Sequence, residues 1–175
     1  MAGETFVTLV LADQAPELAE AHDELYPVRV EEGIPLSLTL LAPFVPRDLL
    51  TDEHLGTARS FFAARPPLAF DLVHLDEFPG LVVYAVPEPE EELRATMRAL
   101  WALFPDYPPY GRPGTDPPPH ATLAQVGDDP AAVRDAVERR AGPLLPVRFV
   151  VGEATLFEEF EPDRCRVLQT FPFGG

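Results

Sequence analysis

Two short segments of this chain carry one pattern, and that pattern dictates how both must lie. Ser37-Leu38-Thr39-Leu40 and His120-Ala121-Thr122-Leu123 each run polar, apolar, Thr, Leu, 83 positions apart. Successive side chains of a strand point to opposite faces. Ser37 and Thr39 therefore share one face and Leu38 and Leu40 the other, and His120 and Thr122 repeat the arrangement. Proline precedes each copy, as Pro35 and as the run Pro117-Pro118-Pro119, and it biases the chain toward an extended entry. Two such strands facing one cleft form a pocket with one imidazole and three hydroxyls.

The rest of the chain supplies alternating strands and helices around these segments. Phe6 to Leu11 reads as a buried strand. Pro16 to Tyr26 reads as a short helix with Leu18, Ala21 and Leu25 on one face. After the Leu36 to Leu41 strand, Thr51 is placed to cap a helix that runs to Ala64, with Leu55, Ala58 and Phe62 as its apolar stripe. Leu68 to Leu75 and Leu81 to Val86 read as neighbouring strands joined through Phe78-Pro79-Gly80. A helix over Glu90 to Phe104 presents Leu93, Met97, Leu100 and Trp101. A proline-rich stretch from Pro105 to Pro119 follows, readable as a linker or as a wall of the pocket. The second motif strand, His120 to Val126, leads to a helix over Pro130 to Ala141. Strands near Val147–Val151, Ala154–Phe157 and Arg166–Phe171 end the chain. This order fits two αβ lobes related by a pseudo-repeat; an open α/β sandwich without internal symmetry is the plainer alternative.

Composition narrows the function classes. At 175 residues the chain suits one domain, or two small lobes sharing a core, and 46% apolar residues argue against disorder. No apolar run is long enough for a membrane span. The start Met1-Ala2-Gly3-Glu4-Thr5 lacks the basic beginning of a secretory leader, so a cytoplasmic protein is expected. Cys165 is the only cysteine, which excludes an internal disulfide and a cysteine-based metal site and reads as a buried bystander rather than a nucleophile. All 13 basic residues are arginine, and lysine and asparagine are absent, a bias typical of GC-rich coding sequences such as those of many actinobacteria. A formal charge of −16 repels a long polyanion at range, so duplex DNA and structured RNA are disfavoured as partners. A small phosphate ester held by a local arginine remains compatible with it. No glycine-rich phosphate loop or dinucleotide fingerprint is present.

The two motifs with their flanks resemble the two-histidine phosphoesterase superfamily, the 2′-5′ RNA ligase-like and cyclic phosphodiesterase proteins. Gly33-Ile34-Pro35-Leu36-Ser37-Leu38-Thr39-Leu40-Leu41-Ala42-Pro43-Phe44 follows the first family motif, and Pro119-His120-Ala121-Thr122-Leu123-Ala124 follows the second. Phe104-Pro105 and Pro109-Tyr110-Gly111 match the usual lead-in, and Phe171-Pro172-Phe173-Gly174 resembles a familiar ending. The resemblance spans nearly the whole chain. It implies an α+β fold over residues 1–175, a single two-lobed domain in which pseudo-symmetric lobes with antiparallel sheets face a central cleft. It implies metal-free chemistry without a cofactor. In the family, one histidine activates the attacking water or hydroxyl, the other protonates the leaving oxygen, and the neighbouring Thr or Ser hydroxyls hold the phosphate.

Ser37 departs from that pattern, since it stands where the family has its first histidine. Imidazole titrates near neutrality, so a pair can start as one base and one acid. A serine hydroxyl does neither without a partner base, and loss of a general base costs about 10²–10⁴ in rate. His120 is thus the expected catalytic residue, with Ser37, Thr39, Thr122, Tyr110 and Arg112 as substrate-binding candidates. His74 lies on the predicted face of Phe70 and Leu72 and is a candidate replacement base or a partly buried structural residue. His22 and His54 fall on predicted helices and are expected to be solvated, as are the acidic clusters Glu88 to Glu92 and Glu158 to Glu161. Three functions compete: a degenerate phosphoesterase acting on a small cyclic phosphate or phosphodiester; an enzyme using His120 alone for isomerisation, elimination or cyclisation of a non-phosphate substrate; and a non-catalytic ligand-binding module.

Overall fold

Each lobe is built by a strand that leaves into a helix and returns as its own antiparallel neighbour. The structure, a computed structural model, describes residues 3–175; Met1 and Ala2, on which the expected absence of a leader partly rests, lie outside the described residues. In the first lobe β1 (Thr5–Val10) runs through a short 3₁₀ turn into α1 (Pro16–Leu25) and α2 (Pro27–Glu32), then returns as β2 (Ser37–Leu41) beside β1. The helix α3 (Asp52–Ala63) crosses to the second lobe and the hairpin of β3 (Leu68–Phe78) and β4 (Val82–Glu88). There β4 runs through α4 (Glu91–Leu103) and returns as β5 (Ala121–Gln125) beside β4. The chain finishes with α5 (Pro130–Arg140), β6 (Val147–Val151), β7 (Glu153–Glu161) and β8 (Arg164–Pro172). The result is an α+β fold with two four-stranded antiparallel sheets, ordered β2-β1-β7-β8 and β5-β4-β3-β6. Both motif strands are therefore sheet edges.

The pseudo-repeat extends to the strand register. Thr39 pairs with Thr8 and Leu41 with Val7, so Leu40 is an extra, bulged residue. Thr122 pairs with Tyr84 and Ala124 with Val83, so Leu123 is bulged in the same way. A bulge breaks the alternation of faces. This is why both Leu40 and Leu41, and both Leu123 and Ala124, are buried although they are consecutive.

Local chemistry explains the helix boundaries. Proline stands at the first position of α1, α2 and α5, where its missing N–H costs nothing. Thr51 caps α3 as expected, accepting from the His54 amide while the His54 ring accepts from the Thr51 amide. Apolar spacing ends the first helix at Tyr26; in the structure Pro27 instead opens α2, which stops at Gly33. Gly33 has a φ of +79°, and a β-carbon there would lie 2.7 Å from the Cys165 carbonyl oxygen. Glycine is required at this close approach between α2 and β8.

One cluster of buried apolar side chains underlies both sheets, with Phe44, Phe62, Phe70, Phe149 and Phe171 fully enclosed. The C-terminal Phe171 and Phe173 pack on Phe62 at 5.8 and 5.3 Å between ring centres. The lobes are also tied at the motif edge, where the Trp101 indole N–H on α4 donates to the Leu40 carbonyl at 2.8 Å. Among the described residues, no helix is long and apolar enough to cross a membrane.

Three expectations fail here for physical reasons. His74 does not share a face with Phe70 and Leu72, because β3 carries an extra residue, Val73, between Leu72 and His74. Phe70 and Leu72 are buried whereas His74 is exposed. Glu158 is not solvated: it is 4% exposed and held between Arg47, at 2.9 Å, and Arg166, at 2.7 Å. His54 is half-buried, through its capping role, rather than free in solvent. The Glu88 to Glu92 cluster lies at the surface as expected.

Candidate functional site

The two motif edges face one cleft of about 760 Å³, within the usual range for small-ligand sites. Ser37, Thr39, His120 and Thr122 all line it, as alternation along the two strands requires. Leu38, Leu40 and Leu123 point away into the core. His120 itself stands one residue before β5, so its ring leans on the neighbouring strands. Phe78 meets it edge-on at 5.0 Å and Tyr84 lies at 5.3 Å.

The hydrogen bonds of these groups separate structural polar residues from uncommitted ones. Thr5 and Thr8, both buried on β1, donate to the carbonyls of Val45 and Leu38 at 2.6 and 2.9 Å. Among the described residues, the hydroxyls of Ser37, Thr39 and Thr122 have no such partner and are open to the cleft. The His120 Nδ1 lies 2.8 Å from the Pro118 carbonyl oxygen. A carbonyl only accepts, so Nδ1 carries the proton and Nε2 keeps its lone pair. Burial pushes the His120 ring below its ordinary value, with the Pro118 contact opposing that shift. The ring is therefore favoured in its neutral form.

The proline-rich stretch is a wall, not a linker. The Tyr110 N–H donates to the Ala42 carbonyl at 2.7 Å, pinning this loop to the end of β2. Asp116 is gripped by Arg98 at 3.0 Å and by Arg94 at 3.4 Å. Tyr110 adopts a φ of 53°, a left-handed conformation rare for a bulky residue and characteristic of turns under constraint. Tyr110, Arg112, Thr115 and Pro118 face the cleft. Among the described residues Arg112 has no acidic partner, whereas Arg29, across the cleft, is paired with Glu32 at 2.7 Å.

Two cleft residues lie where the sequence does not predict them. His22, expected in solvent, is 3% exposed and lines the cleft. The pattern that reveals it is the set Leu18, Ala21, His22 and Leu25, which are spaced i, i+3, i+4 and i+7 and occupy one helical face. Cys165 is half-buried and also faces the cleft rather than the core. Burial, then the nearby Glu159 and Glu32, push its thiol upward, away from a reactive thiolate. His74 is not among the lining residues.

Comparison with known proteins agrees with this architecture. No curated protein matches the sequence. Among solved structures, Escherichia coli LigT complexed with 3′-AMP superposes with a TM-score of 0.63 at 17% identity, covering 100% of both chains. LigT has also been solved with ATP and with NADP⁺. TT0787 of Thermus thermophilus gives a TM-score of 0.59 at 22% identity, with 98% of each chain covered. Usb1 of Kluyveromyces marxianus gives 0.54 at 15% identity, again covering 98% of each. At these identities the likeness is one of fold. Family membership comes from the sequence itself: the model of the 2′-5′ RNA ligase superfamily matches residues 10–161, and the chain belongs to that superfamily.

Proposed function

We propose that the protein is a phosphoesterase that cleaves a small cyclic phosphate or phosphodiester, with His120 as its surviving motif acid/base. The observation that carries this reading is the meeting of one uncommitted imidazole nitrogen and three uncommitted hydroxyls at facing sheet edges. Hydroxyls from Ser37, Thr39 and Thr122 suit the non-bridging oxygens of a phosphate, and Arg112 at the rim suits its charge. A bound phosphate favours the imidazolium form of His120 by direct attraction, opposing the effect of burial. The acid that protonates the leaving oxygen is thus generated as substrate binds. The strongly acidic surface points to a small ligand rather than a polynucleotide, in keeping with the nucleotides bound by LigT.

Hydrolysis of a panel of 2′,3′-cyclic nucleotides and short phosphodiesters, with His120→Ala as the blank, tests this reading. Turnover that disappears in the variant is expected. No turnover above the blank overturns it and directs the search to non-phosphate substrates or to a binding role.

A further inference from the structure

The cleft holds a second buried imidazole, and it comes from the lobe whose motif has none. His22 lies on α1, the helix that joins β1 to β2. Its Nδ1 is 2.9 Å from the Asp23 carboxylate, an acceptor when ionised, so the ring proton resides there and Nε2 keeps its lone pair. Among the described residues Nε2 has no hydrogen-bond partner, although His22 is only 3% exposed. Nε2 is nonetheless not sealed from solvent, and it belongs to a side chain that lines the cleft. The Tyr26 ring meets it edge-on at 6.0 Å and restricts its tilt. His22 and His120 are thus prepared alike, each with Nδ1 tied to an oxygen and Nε2 left over.

From this juxtaposition we propose that His22 supplies the base that Ser37 cannot, so that each lobe contributes one imidazole to the reaction. The inference rests on the phosphoesterase reading above. In the step it assigns, water attacks phosphorus and gives its proton to Nε2 of His22. The bond from phosphorus to the leaving ester oxygen breaks, its electron pair stays on that oxygen, and the oxygen takes a proton from Nε2 of the His120 imidazolium. One water is consumed, one ester bond is hydrolysed, and the two rings then exchange their proton with solvent. Ser37 remains a hydrogen-bond donor to phosphate and leaves room that a histidine at the same position would fill.

The test uses whichever substrate of the panel the unaltered protein turns over. His22→Ala lowers kcat by about 10²-fold or more, the scale of a lost general base. Added imidazole restores part of that loss, and Ser37→His in the His22→Ala background restores at least about tenfold. Ser37→His alone gains little, since a base is already present. Where His22→Ala does not fold, His22→Gln, which keeps a polar side chain of similar reach, takes its place. Turnover kept within about fivefold in the His22 variants overturns the inference while leaving the phosphoesterase reading intact. A loss that neither imidazole nor Ser37→His repairs reduces His22 to a structural residue and also overturns it. Absence of turnover in the unaltered protein removes the phosphoesterase reading, and this inference with it.

Discussion

Set side by side, β2 and β5 are both sheet edges, both bulge at the leucine after their motif threonine, and both turn that threonine into the cleft. They differ in the residue two places before it, Ser37 in one and His120 in the other. The backbone devices that aim a side chain at the cleft are thus present twice, and the imidazole only once. Aim and acid–base chemistry are separate properties of such an edge. A serine on a correctly bulged strand still presents a hydroxyl to a ligand, but it does not titrate near neutrality. The largest predicted effect follows directly. His120→Ala lowers kcat/KM by about 10²–10⁴, whereas Ser37→Ala lowers it only about tenfold, the loss of one hydrogen bond to an anion. Steady-state kinetics on one substrate reads both, and equal losses would break the comparison.

The lobes also differ in how the chain reaches each motif strand. The first route, from α2 into β2, depends on Gly33 being close to the Cys165 carbonyl. The second is held by bonds at its flanks, through Tyr110 to Ala42 and Asp116 to Arg94 and Arg98. Gly33→Ala combines a left-handed backbone with a 2.7 Å approach, and is expected to destabilise the fold by about 2 kcal/mol. Gly56→Ala in α3, where nothing lies within 4 Å of the added carbon, is expected to stabilise by about 0.5–1 kcal/mol. Urea denaturation of both variants measures the difference, and a shift of the same sign in both would count against it.

Much of this arrangement is legible in the sequence because it rests on short-range rules. Alternation along Ser37-Leu38-Thr39 and its counterpart identifies the cleft face, Thr51 marks the start of α3, and apolar spacing marks the buried faces of α3 and α4. The misreadings have three causes: a residue inserted in a register for His74, partners elsewhere in the chain for Glu158, and a polar type on a helix taken for a solvated one at His22 and His54. The extra Val73 reverses the face of His74, and no local pattern announces it. Glu158 is buried because Arg47 and Arg166 meet it from elsewhere in the chain. His22 is legible in principle, since its four-residue step from Leu18 puts it on the buried face, but a polar type on a helix suggests solvent. The open hydroxyls of Ser37, Thr39 and Thr122 are visible only once the partners of Thr5 and Thr8 are known.

The join between the lobes offers a smaller test. Trp101 reaches from α4 to the Leu40 carbonyl at the β2 bulge, where the extra residue interrupts the ladder to β1. Trp101→Phe keeps most of the apolar contact and removes the donor. A loss of about 1 kcal/mol is expected, with a larger effect on kcat than a surface substitution of equal stability cost, because the bond holds the motif edge. An unchanged urea midpoint would show that the two edges keep their places without it.

The smallest effect compares the two imidazoles as proton-binding groups. Burial lowers the His22 ring, with Asp23 opposing and Arg29 adding to the shift, and burial lowers His120 against the Pro118 contact. Both rings titrate near 6.5 when the chain is unfolded. Above that pH both are neutral in either state, and the stability they confer is complete. As the pH falls through 6.5 the unfolded chain takes up protons first, so stability declines until the pH reaches the lowered values of the folded protein. Carboxylates held low by partners, such as Glu24 beside Arg140 and Asp116 beside Arg98, titrate below this window and leave it clear. Urea midpoints measured between about pH 7.5 and about pH 5.5 should therefore fall in the unaltered protein. The fall should be shallower in His22→Gln and in His120→Gln, and shallowest in the double variant. If one single variant flattens the curve as fully as the double, only one of the two rings is desolvated, and the symmetry of the two imidazoles is lost with it.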